Sequence, residues 1–252
     1  VLLLISLFLA DLAVHTLHFG WIEGEFIDGL RLTINLVMLM IVIVGGRIIP
    51  AFTRNALAAM RRDTRMRNLR VIDVASIAGV VGVLLGDLFA ADSLLAAYLA
   101  ALCALLLLLR LSGWAGFRTL DVPLLWVLHL GYFWLIVALS LKACWIFGGF
   151  GWAMNWMHAF TTGAFGTMIL GVMTRVALGH TGRPLRIPGA IATSYILVSV
   201  AALVRIFGPW LAGTRYLSVL AVSAAAWVAA FIIFLIVYIP ILSKPRADGR
   251  PG

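Results

Sequence analysis

Apolar runs long enough to cross a bilayer dominate the chain, near residues 1–17, 32–49, 71–85, 94–111, 123–147, 155–178, 190–207 and 217–241. A spanning helix needs about 20 apolar residues. Lipid offers no hydrogen-bond partner to an open backbone, so such runs must close their bonds internally as helices. Of the 252 residues, 63% are hydrophobic and 12% charged, against about 25% charged in a soluble domain. This excludes a water-soluble enzyme and a disordered or collagen-like chain. The expected architecture is all-α: one polytopic transmembrane bundle of eight spans over residues 1–242, followed by a short basic tail, 243–252.

Charge position sets the orientation. If the odd-numbered connections lie outside, 15 of the 19 lysines and arginines fall on inner segments, and only Arg31, Lys142, Arg205 and Arg215 fall on outer ends. Basic residues near span ends collect on the cytoplasmic side, so both observed termini are expected in the cytoplasm. The net charge of +9 is thus an orientation signal and does not point to nucleic acid. Glu23, Glu25, Asp28, Asp87 and Asp92 belong to the expected outer connections. Trp21, Trp145, Trp152, Trp156 and Trp210 fall near outer boundaries and Trp114 and Trp126 near inner ones, the pattern of an aromatic belt. Trp134 and Trp227 lie mid-span.

Cys103 and Cys144 sit inside apolar runs, without the spacing of a disulfide framework. The first run opens at Val1 without Met or a basic flank and reads as the inside of a longer protein. A signal peptide would need a basic n-region and a small-residue cleavage motif, and the chain has neither.

Ionisable groups inside a membrane are costly and mark sites, paths or partners. Asp11, His15 and His18 share one face of the first helix near its outer end. The carboxylate can orient an imidazole as a metal's outer ligand shell does, or the face simply reaches water. His158 lies about one turn inside the sixth span, one turn after Met154 and beside Met157. Imidazole and thioether suit copper, so His15, His18, Cys144, Met154 and His158 form a candidate outer constellation, with methionine as packing filler the plain alternative. His129, near the inner start of the fifth span, has no acid nearby in sequence and needs either a hydrogen bond or a metal. The two histidines lie toward opposite faces and are not expected to ligate one iron together.

The sixth span carries Ala159, Gly163, Thr167 and Gly171 at four-residue spacing, a stripe that admits a neighbouring helix closely, with His158, Thr162 and Gly166 on an adjacent face. Ala78, Gly82 and Gly86 repeat the device in the third span. Two inner helix ends share a design: Gly45-Gly46-Arg47-Ile48-Ile49-Pro50-Ala51-Phe52-Thr53-Arg54-Asn55, and Met173-Thr174-Arg175-Val176-Ala177-Leu178-Gly179-His180-Thr181-Gly182-Arg183-Pro184-Leu185. Glycine and proline are expected to stop each helix, and the arginines offer forks for carboxylates or phosphates. Thr53 is expected to cap a short basic segment through Arg70 at the anionic inner leaflet.

As strings, these two breaks, the Leu128-His129-Leu130-Gly131-Tyr132 run and the stretch from His158 through Pro184 resemble the NnrS family of bacterial membrane proteins. The likeness extends from the first span to about Leu185, and the last two spans fit in hydropathy alone. The positions that match are Gly46, Arg47, Pro50, Thr53, Arg54, His129, His158, Gly163, Gly166, Thr174, Arg175, Gly179, His180, Thr181, Gly182 and Arg183. The resemblance implies a bacterial inner-membrane protein of the nitric oxide or nitrosative-stress response, found with denitrification functions and containing haem and copper. On that basis the candidate cofactor residues are His129, His158, Arg175, His180 and Arg183, and the candidate metal ligands are His15, His18, His158 and Met154. Family members look like larger bundles with a histidine-containing N-terminal segment that has no counterpart here. A bundle lacking those helices would leave packing faces open to lipid or to a second copy in a homo-oligomer.

Three functions follow. The first is a haem- and copper-associated protein that handles nitric oxide or a nitrosylated species. The second is a transporter for a small anion or metal, gated at the broken inner ends. The third is a non-catalytic assembly or sensor subunit. No electron donor, proton path or catalytic residue is evident in the sequence. Leu17-His18-Phe19-Gly20-Trp21 and the run around His129 lie at opposite ends of their helices, which argues against the repeat that alternating access leaves.

Overall fold

A computed structural model describes residues 2–21, 26–67 and 69–249. Val1, Glu23, Glu25 and Arg250, which entered the span and charge readings, lie outside the described residues. Among the described residues the chain is helical and contains no strand. The long helices are α1 (Leu2–His18), α2 (Phe26–Ala59), α3 (Arg70–Ala90), α4 (Leu94–Ser112) and α5 (Pro123–Gly148). A rod follows, made of α6 (Trp156–His158), a π-helix (Ala159–Gly166) and α7 (Thr167–His180), and then α8 (Gly189–Ala212) and α9 (Tyr216–Leu242).

Six helical stretches among the described residues are long and apolar enough to cross a membrane, and Leu4–His18 is a shorter apolar helix. One of the six, Gly189–Leu242, contains both α8 and α9. Gly213 breaks it at φ +50°, a left-handed backbone that a Cβ disfavours. The two helices then fold back antiparallel, with the Ser223 hydroxyl donating to the Ala201 carbonyl at 2.8 Å and Gly208 against Val219.

The core is organised around α5, which is apolar on every side, as a helix surrounded by others should be. It packs against α2, α4, the π-helix and α7. α3 lies on α4, where Gly82 and Gly86 admit Leu99. α1 lies on α2, where Gly29 admits Val14 and Leu17. Outward faces carry large exposed apolar side chains such as Phe8, Leu85, Leu105, Ile196 and Ile236, a surface that only lipid tolerates at this extent.

The four-residue stripe works as expected. Gly163 receives the Trp134 ring and Gly171 receives Val127 and Leu128, all from α5. Without a hydrophobic drive between helices in lipid, such close van der Waals contact is what holds the pair. Gly166 faces the other way, onto Trp227 of α9 and Val198 of α8, so the mid-span tryptophans pack on glycine.

Three expectations are corrected. Pro50 does not stop α2, which runs on to Ala59. Ile49, Pro50, Thr53 and Leu57 are buried, and packing by neighbouring helices lets a membrane helix carry proline. Thr53 therefore caps nothing; mid-helix, its hydroxyl donates back to the Ile49 carbonyl at 2.8 Å, and residues 60–67 form a turn and an irregular connection. The second inner end does stop at glycine, α7 closing at His180 with Gly182 at φ +66° just after it. Trp114 and Trp156 are core residues, 0% and 4% exposed, because each packs on a buried cation. Trp21 and Trp210 are exposed at the outer end.

Candidate functional site

The polar residues of the bundle gather at two levels. One level, at the end of the bundle that the charge pattern assigns to the inside, is built on Arg110, in the last turn of α4, whose side chain is 4% exposed. Its Nε donates to Asp73 of α3 at 2.8 Å, and its Nη1 donates to the Val42 carbonyl at 2.8 Å and to the Tyr132 hydroxyl at 3.3 Å. Gly46 of α2 makes room, since a Cβ there would collide with the guanidinium. Trp114 closes the cluster, 5.6 Å from the Arg110 guanidinium and 4.6 Å from the Tyr132 ring. Its buried indole N–H has no acceptor among the described residues. A buried charge is tolerated only when paired and hydrogen-bonded, and Arg110 meets that condition through three helices.

His129 borders this cluster. Its Nδ1 lies 3.0 Å from the Leu125 carbonyl and its Nε2 lies 3.4 Å from the Thr53 hydroxyl. A carbonyl can only accept, so Nδ1 carries the proton in the bond to Leu125; the Thr53 hydroxyl, already donating to Ile49, stands against Nε2 with no proton left to give it. Gly116 lies flush against the ring, where a Cβ would come within 2.6 Å of Cδ2. Nε2 is thus covered by Thr53 and Gly116.

The two inner motifs meet. Arg175 of α7 stacks its guanidinium over Phe52 of α2 at 3.8 Å, and the Thr174 hydroxyl lies 2.6 Å from the Tyr195 hydroxyl. His180 is exposed, and its carbonyl accepts from Arg246 at 2.9 Å. Arg183 donates to the Thr181 carbonyl at 3.3 Å. The basic tail folds onto this corner, with the Ala247 N–H donating to Thr181 at 3.0 Å and Asp248 against Gly182.

The outer level is built on Lys142 of α5 and Asp87 of α3, both buried and in direct contact. Asn35 of α2 donates to the same carboxylate at 2.8 Å, and Trp156 places its ring 5.0 Å from the ammonium. An opening of about 170 Å³ reaches Asn35 and Asp87 past Asp28 and Arg31, and Arg31 is bound to Asp92 at 2.6 Å. Asp87 and Lys142 had been read as residues of outer ends. Their place in apolar helices was the available signal, but 55 positions separate them and only packing joins them.

His158, half-buried at the head of the π-helix, makes no side-chain hydrogen bond among the described residues. π-turns inside helices often sit at functional sites, and the glycine- and threonine-rich run here permits one. Since Gly131 meets Met168 and Gly171 meets Val127 and Leu128, His129 is level with the residues beside Met168. His158 is therefore roughly 16 Å away along the axis at 1.5 Å per residue, and the two do not share a metal. Met154 is 52% exposed and Cys144 half-buried. His15 sits 3.8 Å from Asp11 on exposed α1. Among the described residues no group of three or more His, Cys, Asp or Glu lies close enough to hold a metal ion.

The model of the NnrS protein family matches residues 1–246. No curated protein and no solved structure matches the chain.

Proposed function

The chain belongs to the NnrS family, and from that premise we propose a membrane protein of the nitric oxide response with two separate intramembrane histidine sites. We read it as eight passes with both described ends in the cytoplasm of a bacterial inner membrane, taking α8 and α9 as separate spans and α1 as a short one. The observation that carries the functional reading is His158: an imidazole without a hydrogen bond among the described residues, at the head of a π-helix, in a bundle whose buried polar groups are mostly paired. A lone imidazole suits haem iron as a ligand, and a haem, if bound, would supply an iron able to take nitric oxide. His158 would hold it, and Arg205, whose charge acts on His158, would favour anionic groups beside it. His129 is the second candidate ligand, needing Thr53 and Gly116 to give way. Copper does not fit a closed ligand set among the described residues, and no step is assigned to it. Arg175, His180 and Arg183 act here as tethers of the inner end.

The test is an absorption spectrum with iron and copper analysis of the purified protein, His129→Ala and His158→Ala. A haem band lost in His158→Ala and kept in His129→Ala supports the assignment. A wild-type protein without haem or iron overturns it. A transporter reading draws on one observation, the outer opening that leads to the Asp87–Lys142 pair. Uptake of anions or metal ions into vesicles, abolished by Asp87→Asn, would favour it.

A further inference from the structure

Between the inner halves of α2 and α3 lies a cavity of about 440 Å³, lined by Ile43, Gly46, Arg47, Pro50, Ala51, Arg54, Asp73, Ile77 and Arg110. Arg47 and Arg54 are seven positions apart on α2, two helical turns along one face. Both are exposed, and neither has an acidic partner among the described residues. In the wall stands the buried Arg110, whose Nε and Nη1 are engaged with Asp73, Val42 and Tyr132. Its Nη2 makes no hydrogen bond among the described residues and lies against Gly46, which lines the cavity together with Arg110. Three guanidinium groups against one carboxylate leave two positive charges facing a common space. The small residues Gly46 and Ala51 keep that space open.

From this arrangement we propose that the cavity binds a phosphate-bearing anion, clamped by Arg47 and Arg54 and steadied by the fixed Nη2 of Arg110. Guanidinium forks match phosphate oxygens in pairs. A generic basic surface explains exposed arginines but not a buried guanidinium, held by three bonds with one nitrogen unbonded, among the residues that line the cavity. The inner end of α2 stands where lipid headgroups lie in the topology proposed above, so the phosphate can belong to an anionic lipid or be free in solution. The proposal is independent of any haem.

Native mass spectrometry of the wild-type protein in neutral detergent, titrated with phosphatidylglycerol and separately with inorganic phosphate, tests it. Arg47→Gln with Arg54→Gln should weaken the bound adduct at least about tenfold, the effect of losing roughly 1.4 kcal/mol. Ala51→Phe, which fills the space and leaves every charge in place, should weaken it likewise. Arg61→Gln with Arg186→Gln removes the same charge elsewhere on the inner surface and should leave binding unchanged. Retention of the lipid alone assigns a headgroup site, and phosphate that binds or displaces the lipid assigns a site for the free anion. Binding of neither probe overturns the proposal, as does equal weakening by both double variants or full binding by Ala51→Phe.

Discussion

The Lys142 ammonium of α5 and the Asp87 carboxylate of α3 form an ion pair inside the outer half of the bundle, with side chains 2% and 5% exposed. Asn35 and the Trp156 ring complete their surroundings. Removing one partner of such a pair strands the other charge, which costs about 3–5 kcal/mol, whereas replacing both by apolar groups of similar volume is often neutral. Lys142→Met should therefore lower the unfolding temperature in detergent sharply, and Lys142→Met with Asp87→Leu should recover most of the loss. If the double variant is as unstable as the single one, the pair is not the source of the effect.

Gly163 holds the π-helix against α5. A Cβ at this position would lie 2.7 Å from Trp134 ring atoms, and the ring is anchored by its N–H to Ser199 at 3.2 Å. Gly163→Ala should cost about 1–3 kcal/mol by overpacking. Trp134→Leu in the same chain should restore part of it, because the obstacle is the indole. Thermal unfolding of the two variants checks the order.

His129 and His158 differ structurally in a way that separates folding from ligand loss. The His158 imidazole makes no hydrogen bond among the described residues, so His158→Ala should change stability by less than about 0.5 kcal/mol. His129 packs on Gly116 and pairs with Leu125, so His129→Ala should cost about 1–3 kcal/mol through the cavity and the lost bond. Chemical unfolding in mixed micelles reads both. An unfolded His158→Ala would mean that this imidazole is structural.

At the inner surface, Arg62 clamps Asp121 with two bonds of 2.7 and 2.8 Å, and Arg118 holds Asp63 at 3.1 Å, tying residues 60–67 to the loop before α5. The Arg62 hydrogen bond holds the Asp121 carboxyl below its ordinary value, and the Arg65 backbone N–H does the same for Asp63. For a depressed carboxylate the stabilisation is fully present above the unfolded value and is lost as pH falls through the lower folded value. Hydrogen exchange of residues 60–67, corrected for intrinsic rates, should be slow at neutral pH and accelerate only below the ordinary carboxylate range. Asp121→Asn should show the faster exchange at every pH.

Much of the helix layout was readable from composition along the chain. The expected runs near 94–111, 123–147 and 217–241 became Leu94–Ser112, Pro123–Gly148 and Tyr216–Leu242, and the Gly163 stripe found the close neighbour it was expected to admit. Pro50 misled because its usual effect on a helix is judged without neighbours, and here the packed face around Thr53 carries the helix past it. The outer half of the candidate site was not readable at all. Asp87 looked like part of a solvated connection and Lys142 like a stray outer charge.

The reason lies in the solvent. Lipid requires every spanning segment to close its own backbone hydrogen bonds, a local demand, so the sequence alone determined that the chain is helical and about where its long helices lie, though not where α2 ends. Pairing of polar side chains is not local. Arg110 and Asp73 are 37 positions apart and Asp87 and Lys142 are 55, and which of them meet depends on how α2, α3, α4 and α5 are packed. The tertiary structure decided that two buried charge clusters exist, that the His129 ring has a partner and the His158 ring has none among the described residues, and that three arginines line one cavity.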